Sequence, residues 1–326
     1  MSPTPLSEPG APPPRLSVVV PLYNGLAYTQ AMVASLQATL PAAIAHEIIL
    51  VDDGSTDGTR PWLATLGPPF RAVLNPGNLG YGEANNRGVA RARGPLLALL
   101  NNDLILRPRW LQPMLAAHAG LGPRAGLVGN VQTAERTGAI EHAGIYIDHK
   151  GKPEHCRRAP SLAARLLAPV RPVPAVTGAC VLLSRSLWDE LGGFDRAYRN
   201  GCEDVDLCLR AAAAGRTNAV ALRSRVGHHV STTPGRKELD EANTYLLVRR
   251  WHDTLLALGR RDWCRHHFET YLPEPRDFPD PALARQIALY LLRLRPTPPA
   301  GAAEGMRRAL AAELDRWRAL LPPQPP

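Results

Sequence analysis

Residues Leu16 to Pro21 (LSVVVP) form a short, continuously apolar run rich in β-branched side chains. A strand covered on both faces has this pattern. Apolar positions then recur with helical spacing from Thr29 to Leu40, and Glu47 to Val51 (EIILV) repeats the strand-like run. Strand, helix and strand within about forty residues predict a βαβ unit, and therefore a parallel sheet. Asp52-Asp53-Gly54-Ser55 stands where the second strand ends. Thr56 and Asp57 are placed to cap a helix from Gly58 through Trp62 to Leu66.

A shorter strand is expected from Arg71 to Leu74, followed by a Gly- and Asn-rich loop from Asn75 to Gly82. A helix from Glu83 to Arg93 leads to the strand Pro95 to Leu100, which ends in Asn101-Asn102-Asp103. Strands of this half thus end in polar, ligand-like residues on one edge of the sheet, where open parallel sheets bind their ligands. Further strands are predicted at Gly126 to Val131, Ile140 to Ile147 and Ala175 to Leu183. The basic, Pro-punctuated stretch from Lys150 to Pro174 reads as a loop, mobile or facing an acceptor. Ser186 caps a short helix to Leu191, Gly192-Gly193-Phe194-Asp195 is a turn, and Gly215 stops a helix from Glu203 to Ala214. Beyond about residue 236 the chain reads as helical, with Met306, Leu310, Leu314, Trp317 and Leu321 on one apolar stripe.

At 326 residues and 45% hydrophobic, the chain is large enough for one α/β domain with an appendage. Met1 to Pro14 lacks the basic start and apolar run of a signal peptide and is read as a loose, disordered tail. No stretch reaches the roughly 20 apolar residues of a membrane span, which predicts a cytoplasmic protein. Five cysteines without a C-x-x-C pair argue for buried free thiols, against a disulfide framework or zinc site. The net charge of +9 is carried almost wholly by arginine, Lys150, Lys152 and Lys237 being the only lysines. That charge suits nucleotide diphosphates, a phospholipid surface or nucleic acid. Missing zinc-finger spacing and a missing RNP-type aromatic strand count against nucleic acid.

Seven segments bear on the chemistry. V-V-V-P-L-Y-N, V-D-D-G-S-T-D-G-T and N-P-G-N-L-G-Y-G-E-A-N-N-R-G come first, followed by L-N-N-D, T-G-A-C-V-L-L, G-G-F-D and E-D-V-D-L-C-L-R. In this order, over roughly residues 15 to 235, they resemble family 2 glycosyltransferases of the GT-A fold. The flavour is that of bacterial rhamnosyltransferase-like members that build surface polysaccharides. The resemblance implies a Rossmann-like, mixed but mainly parallel sheet flanked by helices. Residues 15–125 would hold the donor nucleotide, 126–236 the acceptor, and 237–326 would form a helical C-terminal appendage.

The resemblance assigns nucleotide contact to Asp52 and Asp53, with Pro21, Tyr23 and Asn24 shaping the base pocket. Carboxylates can accept hydrogen bonds from a pyrimidine N–H or ribose hydroxyls; read alone, the segment favours a plain turn with helix-capping acids, and the surrounding motifs turn the reading toward nucleotide contact. The loop Asn75 to Asn86 could bring backbone N–H groups to a diphosphate, Gly80 and Asn86 being the leading contributors. It is neither a Walker loop nor a G-x-G-x-x-G fingerprint, and a plain loop before a helix is the alternative. Asn101-Asn102-Asp103 occupies the place of the family's D-x-D motif. Asp103 would bind Mg2+ or Mn2+, while Asn101 and Asn102 would contact the nucleotide sugar. One carboxylate where relatives have two implies weaker metal binding, completed by donor phosphates and water.

Asp204 matches the family's catalytic base, beside Glu203; Glu203 or Asp206 could serve instead, and the helix dipole favours acids here whatever their role. A histidine completing the metal site is implied at His228, with His229 the alternative. Arg236, with Ser231 to Thr233, would form a strip over the donor phosphates. His46, His118, His142, His149 and His155 are read as ordinary structural or surface residues.

The implied activity is inverting transfer of a hexosyl-type sugar from a nucleotide-diphosphate donor to a hydroxyl of a glycan or lipid-linked acceptor. The setting would be cell-surface polysaccharide synthesis, with peripheral contact at the inner face of the cell membrane through C-terminal arginines and tryptophans. A non-catalytic sugar-nucleotide-binding relative is the main rival. A sugar-nucleotide pyrophosphorylase lacks its early Gly-rich Arg/Lys signature here, and a polysaccharide synthase lacks its transmembrane helices and Q-x-x-R-W segment.

Overall fold

The computed structural model describes residues 13–229, 239–273 and 278–321. Most of the expected tail lies outside the described residues, as do Arg236 and Ser231 to Thr233. The first half runs β1 (Leu16–Leu22), α1 (Leu26–Thr39), β2 (His46–Asp52), α2 (Thr59–Leu63), β3 (Phe70–Leu74), α3 (Tyr81–Val89), β4 (Leu96–Leu100), β5 (Leu104–Leu106) and α4 (Leu111–Leu121). It continues with β6 (Ala125–Ala134), β7 (Ile140–His142), β8 (Ile145–Ile147), β9 (Pro153–His155), α5 (Leu162–Leu167), β10 (Val170–Pro172), β11 (Cys180–Ser184), α6 (Arg185–Leu191), α7 (Glu203–Ala213) and β12 (Thr217–His228). Three helices follow, α8 (Asp240–Tyr271), α9 (Pro281–Leu291) and α10 (Ala300–Leu320).

The main sheet has the order β10-β12-β6-β11-β4-β1-β2-β3, with β5 beside β12 and β7 beside β6. β1 pairs in parallel with β2 and β4, and β2 with β3, as the βαβ pattern requires. β11 runs antiparallel between β4 and β6, and β12 returns parallel to β6. The continuous apolar runs are explained by alternation. Val19, Ile49, Leu97 and Leu99 enter one core with α3, α6 and α7, while Val18, Val20, Ile48, Leu50 and Ala98 enter the other with α1 and α4.

Several local expectations change. The run Ile140 to Ile147 is split between two sheets at Gly144, whose φ of +104° breaks an extended chain. Only Cys180 onward of Ala175 to Leu183 is a strand. Ser184, not Ser186, caps α6 by accepting from Leu187 N–H at 3.1 Å. The expected loop from Lys150 to Pro174 contains β9, α5 and β10.

Two of the C-terminal helices, α8 and α10, are built into the main core. Leu247, Val248 and Leu255 of α8 and Met306, Leu310 and Trp317 of α10 belong to the same buried cluster as Val19 and Ile49. Each fully buried Leu or Met of this kind contributes about 1.5–3 kcal/mol. α8 is kinked at Trp251, whose indole N–H donates to Asp206 at 2.9 Å, fastening it to α7. No described helix is long and apolar enough to cross a membrane.

Candidate active site

The loops leaving β1, β2 and β3 are knit into one rim. Asp52 is wholly buried; its carboxylate accepts from the N–H groups of Gly54 and Ser55 at 3.3 Å and pairs with Arg60 at 2.5 Å. Asp53, also buried, accepts from Asn75 Nδ2 at 2.8 Å and from the N–H groups of Leu79 and Gly80 at 3.0 and 2.9 Å. The two loops approach so closely that a Cβ on Gly54, at φ +84°, would lie 2.6 Å from the backbone of Gly77. Asn24 closes the rim: its side-chain oxygen accepts from the Thr56 and Asp57 N–H groups at 2.8 and 3.3 Å. The described bonds of Asp52 and Asp53 therefore run into the loops, as a turn of capping acids requires. Tyr23 is exposed, and Pro21 and Asn24 half-exposed, on the same rim.

Two residues expected at the diphosphate have internal work. The Gly80 N–H is already given to Asp53, at a backbone φ of +91°. Asn86 makes a reciprocal pair with the Phe194 backbone, donating to its carbonyl at 2.9 Å and accepting from its N–H at 3.0 Å. Its amide thus ties α3 to the Gly-Gly-Phe-Asp turn.

At the end of β4, Asn102 donates to Thr29 Oγ1 at 2.9 Å and the Asn101 N–H to the Ala179 carbonyl at 2.8 Å. Asp103 is buried just beyond, before β5. The antiparallel pairing of β5 with β12 sets His228 opposite Leu104. It brings His228 Nε2 to 3.2 Å from Asp103 Oδ1. Both atoms are buried, and neither has a hydrogen-bond partner of acceptable geometry. The adjacent His229 lies outside this pair, its ring 5.1 Å from that of Tyr28.

An oxygen and an imidazole nitrogen so placed fit a divalent cation: the edge of an octahedron with bonds of about 2.1 Å is about 3 Å. Among the described residues no group of three or more His, Cys, Asp or Glu side chains could hold a metal. Asp103 and His228 would therefore leave most coordination positions to other ligands.

α7 presents the three acids differently. Asp206 is wholly buried and saturated by Arg210 at 2.7 Å, Arg250 at 3.1 Å and Trp251 at 2.9 Å, which removes it as a base. Glu203 is buried and accepts from the Gly201 N–H at 2.6 Å. Asp204 alone of the three is half-exposed; it accepts from the Gly178 N–H at 2.7 Å and the Val205 N–H at 2.8 Å. The carbonyl of the same glycine is held by Tyr81, whose hydroxyl donates to it at 2.8 Å. Burial, then Asp204 and Glu203, push the Tyr81 phenol well above its usual pKa, so it stays a donor. A Cβ at position 178 would lie 2.7 Å from that hydroxyl, so a larger residue there would displace Tyr81.

Residues 17–192 match the model of glycosyl transferase family 2, more than half of the chain. The chain belongs to this family. Among its relatives is the N-acetylglucosaminyl-diphospho-decaprenol L-rhamnosyltransferase of Mycobacterium tuberculosis, 30% identical over 68% of this chain and 78% of the relative. The O-antigen biosynthesis protein RfbC of Myxococcus xanthus is 29% identical over 73% of this chain and 19% of its own length. The chain spans only 19% and 29% of the longer relatives it matches. The fold resembles that of GalNAc-T7, solved with UDP, GalNAc and Mn2+, at a TM-score of 0.60 and 18% identity, covering 78% of this chain and 51% of that one. The expected fold class, a GT-A glycosyltransferase with a helical C-terminal region, is borne out.

Two contributors to the site of this family 2 glycosyltransferase, Tyr81 and Gly178, carry no signal of their own in the sequence: both sit inside recognisable motifs, but their hydrogen bond spans 97 positions. Nor does Arg199, an exposed guanidinium beside Gly80 that donates to the Asn78 carbonyl at 3.4 Å.

Proposed function

We propose that the chain transfers a sugar, with inversion, from a nucleotide-diphosphate donor to a hydroxyl of a glycan or lipid-linked acceptor. The observation that carries this reading is the pair of orphaned buried atoms on Asp103 and His228. It is connected through Asn101, Ala179 and Gly178 to the half-exposed carboxylate of Asp204. Residues 15–125 hold the donor and residues 126–236 the acceptor. Pro21, Tyr23 and Asn24 border the base, while Asp52, Asp53, Gly80 and Asn86 hold the donor rim in shape. Asn101 and Asn102 face the ribose and phosphates.

In the reaction the acceptor oxygen forms a bond to the anomeric carbon as the bond to the diphosphate oxygen breaks, and the acceptor proton passes to Asp204. Asp204 is held by the Gly178 and Val205 N–H groups, which leave lone pairs for that proton. Asp103 and His228 would hold Mg2+ or Mn2+, which neutralises charge on the departing diphosphate when bound. The Mn2+ bound to GalNAc-T7 and the diphospho-decaprenol substrate named for the mycobacterial relative support a divalent ion and a lipid-linked acceptor. Work on such an acceptor in cell-surface polysaccharide synthesis would place the chain at the cytoplasmic face of the membrane.

A second reading, a sugar-nucleotide binder without turnover, is favoured by Asn101 in place of the first carboxylate of the D-x-D motif. A panel of UDP-, GDP- and dTDP-sugars, read as nucleotide binding and nucleotide release with and without chelator, separates the readings. Release that needs a divalent ion supports transfer. Binding without release under any acceptor supports the second reading, and no binding at all overturns both.

A further inference from the structure

The edge of the sheet at β10 carries α5, and α5 turns its apolar side chains outward. Leu162, Leu166 and Leu167 are 62%, 57% and 84% exposed. The helix is nonetheless firmly seated. Ser161 caps it by accepting from Ala164 N–H at 3.1 Å, and Arg223 of β12 donates to the carbonyls of Arg165 and Leu166 at 2.7 and 3.0 Å. Its polar backbone end is thus held against the sheet while the leucines stay in water, at a cost that a solvated surface would not explain.

The charge around these leucines is mainly positive. Arg157, Arg158, Arg223 and Arg225 are exposed. No acidic residue occurs between Glu154 and Asp189, nor between Asp206 and Glu238. Beside α5 lies a cavity of about 120 Å³ with Val131, Ile140 and Leu222 among its apolar walls and Arg165 and Arg225 on its lining. The Arg165 Nε is buried there without a hydrogen-bond partner.

We propose that the α5 edge is a docking surface for an anionic phospholipid bilayer, the three leucines entering the headgroup–acyl boundary and the arginines pairing with lipid phosphates. A second copy of the chain fits poorly, because a two-fold contact would set these arginines against one another with few acids to offset them. The surface is close to the site: Arg223 and Arg225 share β12 with His228, about 10–17 Å away at the rise of a strand. The inference deepens the membrane-side reading above and rests on it for its setting. It requires neither donor nor acceptor, so its failure and a failure of transfer are separate results.

The test is flotation of the full chain with vesicles of phosphatidylcholine, with and without phosphatidylglycerol. The chain should bind only the anionic vesicles, and less in high salt. Leu166→Ser with Leu167→Ser should weaken binding roughly tenfold or more, with an unchanged melting temperature because both side chains are exposed. Arg157→Gln with Arg158→Gln should weaken binding and flatten its salt dependence. Leu292→Ser, at a leucine 69% exposed at the end of α9, should leave binding intact. Failure of the wild type to bind anionic vesicles would overturn the proposal. So would α5 variants that bind as well as wild type, or that abolish a dimer seen by sedimentation while vesicle binding persists.

Discussion

Asp103 Oδ1 and His228 Nε2 face each other across 3.2 Å, buried and without well-formed hydrogen bonds. Leaving two polar atoms so placed costs free energy, on the order of 1–3 kcal/mol each, unless something else satisfies them. A divalent cation held between them, as proposed above, would do so and would account for the spacing. Replacing Asp103→Asn or His228→Ala should therefore raise the cation concentration needed for nucleotide binding by at least about tenfold. His229→Ala should leave it unchanged. Calorimetric titration of nucleotide at several Mn2+ concentrations measures this, and equal cation dependence in all three variants would remove Asp103 and His228 from the metal site.

Gly178 joins Tyr81 to Asp204, its carbonyl accepting from one and its N–H donating to the other. Asp204→Asn keeps an acceptor for that N–H but loses the base. Turnover should fall about 10²–10⁴-fold with donor affinity retained. Tyr81→Phe removes only the strut, so kcat should fall by roughly three- to tenfold with the donor KM unchanged. A split of this kind in steady-state kinetics marks Tyr81 as a positioning residue. Loss of donor affinity in either variant would place these groups at the nucleotide instead.

Asn86 distinguishes a structural from a substrate role. Its amide is committed on both sides to the Phe194 backbone. Asn86→Ala should lower stability by about 1–3 kcal/mol, since it strands a backbone donor and an acceptor. Nucleotide affinity of the folded fraction should stay the same. Urea unfolding and nucleotide titration of the same sample check both halves, and an affinity loss without destabilisation would return Asn86 to the donor site.

What was legible and what was not follows from the range of the forces involved. β1, β2 and β4 could be read directly because both faces are buried, so their central positions are continuously apolar. β5 and α4 escaped notice: a strand of three residues has no period to detect, and α4 carries its apolar residues on both sides. The acids at 52, 53, 103 and 204 were visible as residues at strand ends and a helix start. Their partners were not. Local sequence does not say whether a carboxylate points into a loop, as Asp53 does toward Leu79 and Gly80, or toward a distant histidine, as Asp103 does.

The C-terminal helices offer a test of stability that is independent of catalysis. Glu313 of α10 is nearly buried, yet it pairs with Lys152 at 2.9 Å and Arg316 at 2.7 Å. Burial pushes its pKa up; the two cations outweigh burial and bring it from 4.5 down to about 2. A carboxylate whose folded pKa lies below its unfolded one stabilises the fold fully above about pH 4.5, and this contribution is lost as pH falls toward about 2. Its upper bound is about 3 kcal/mol. Glu313→Gln should therefore unfold more easily than wild type at neutral pH, and the gap should close on acidification. Urea midpoints measured for both proteins between neutral pH and about pH 3 give the comparison. A gap that stayed constant over that range would mean that α10 is held by Trp317 and its apolar neighbours alone, with no contribution from the charge on Glu313.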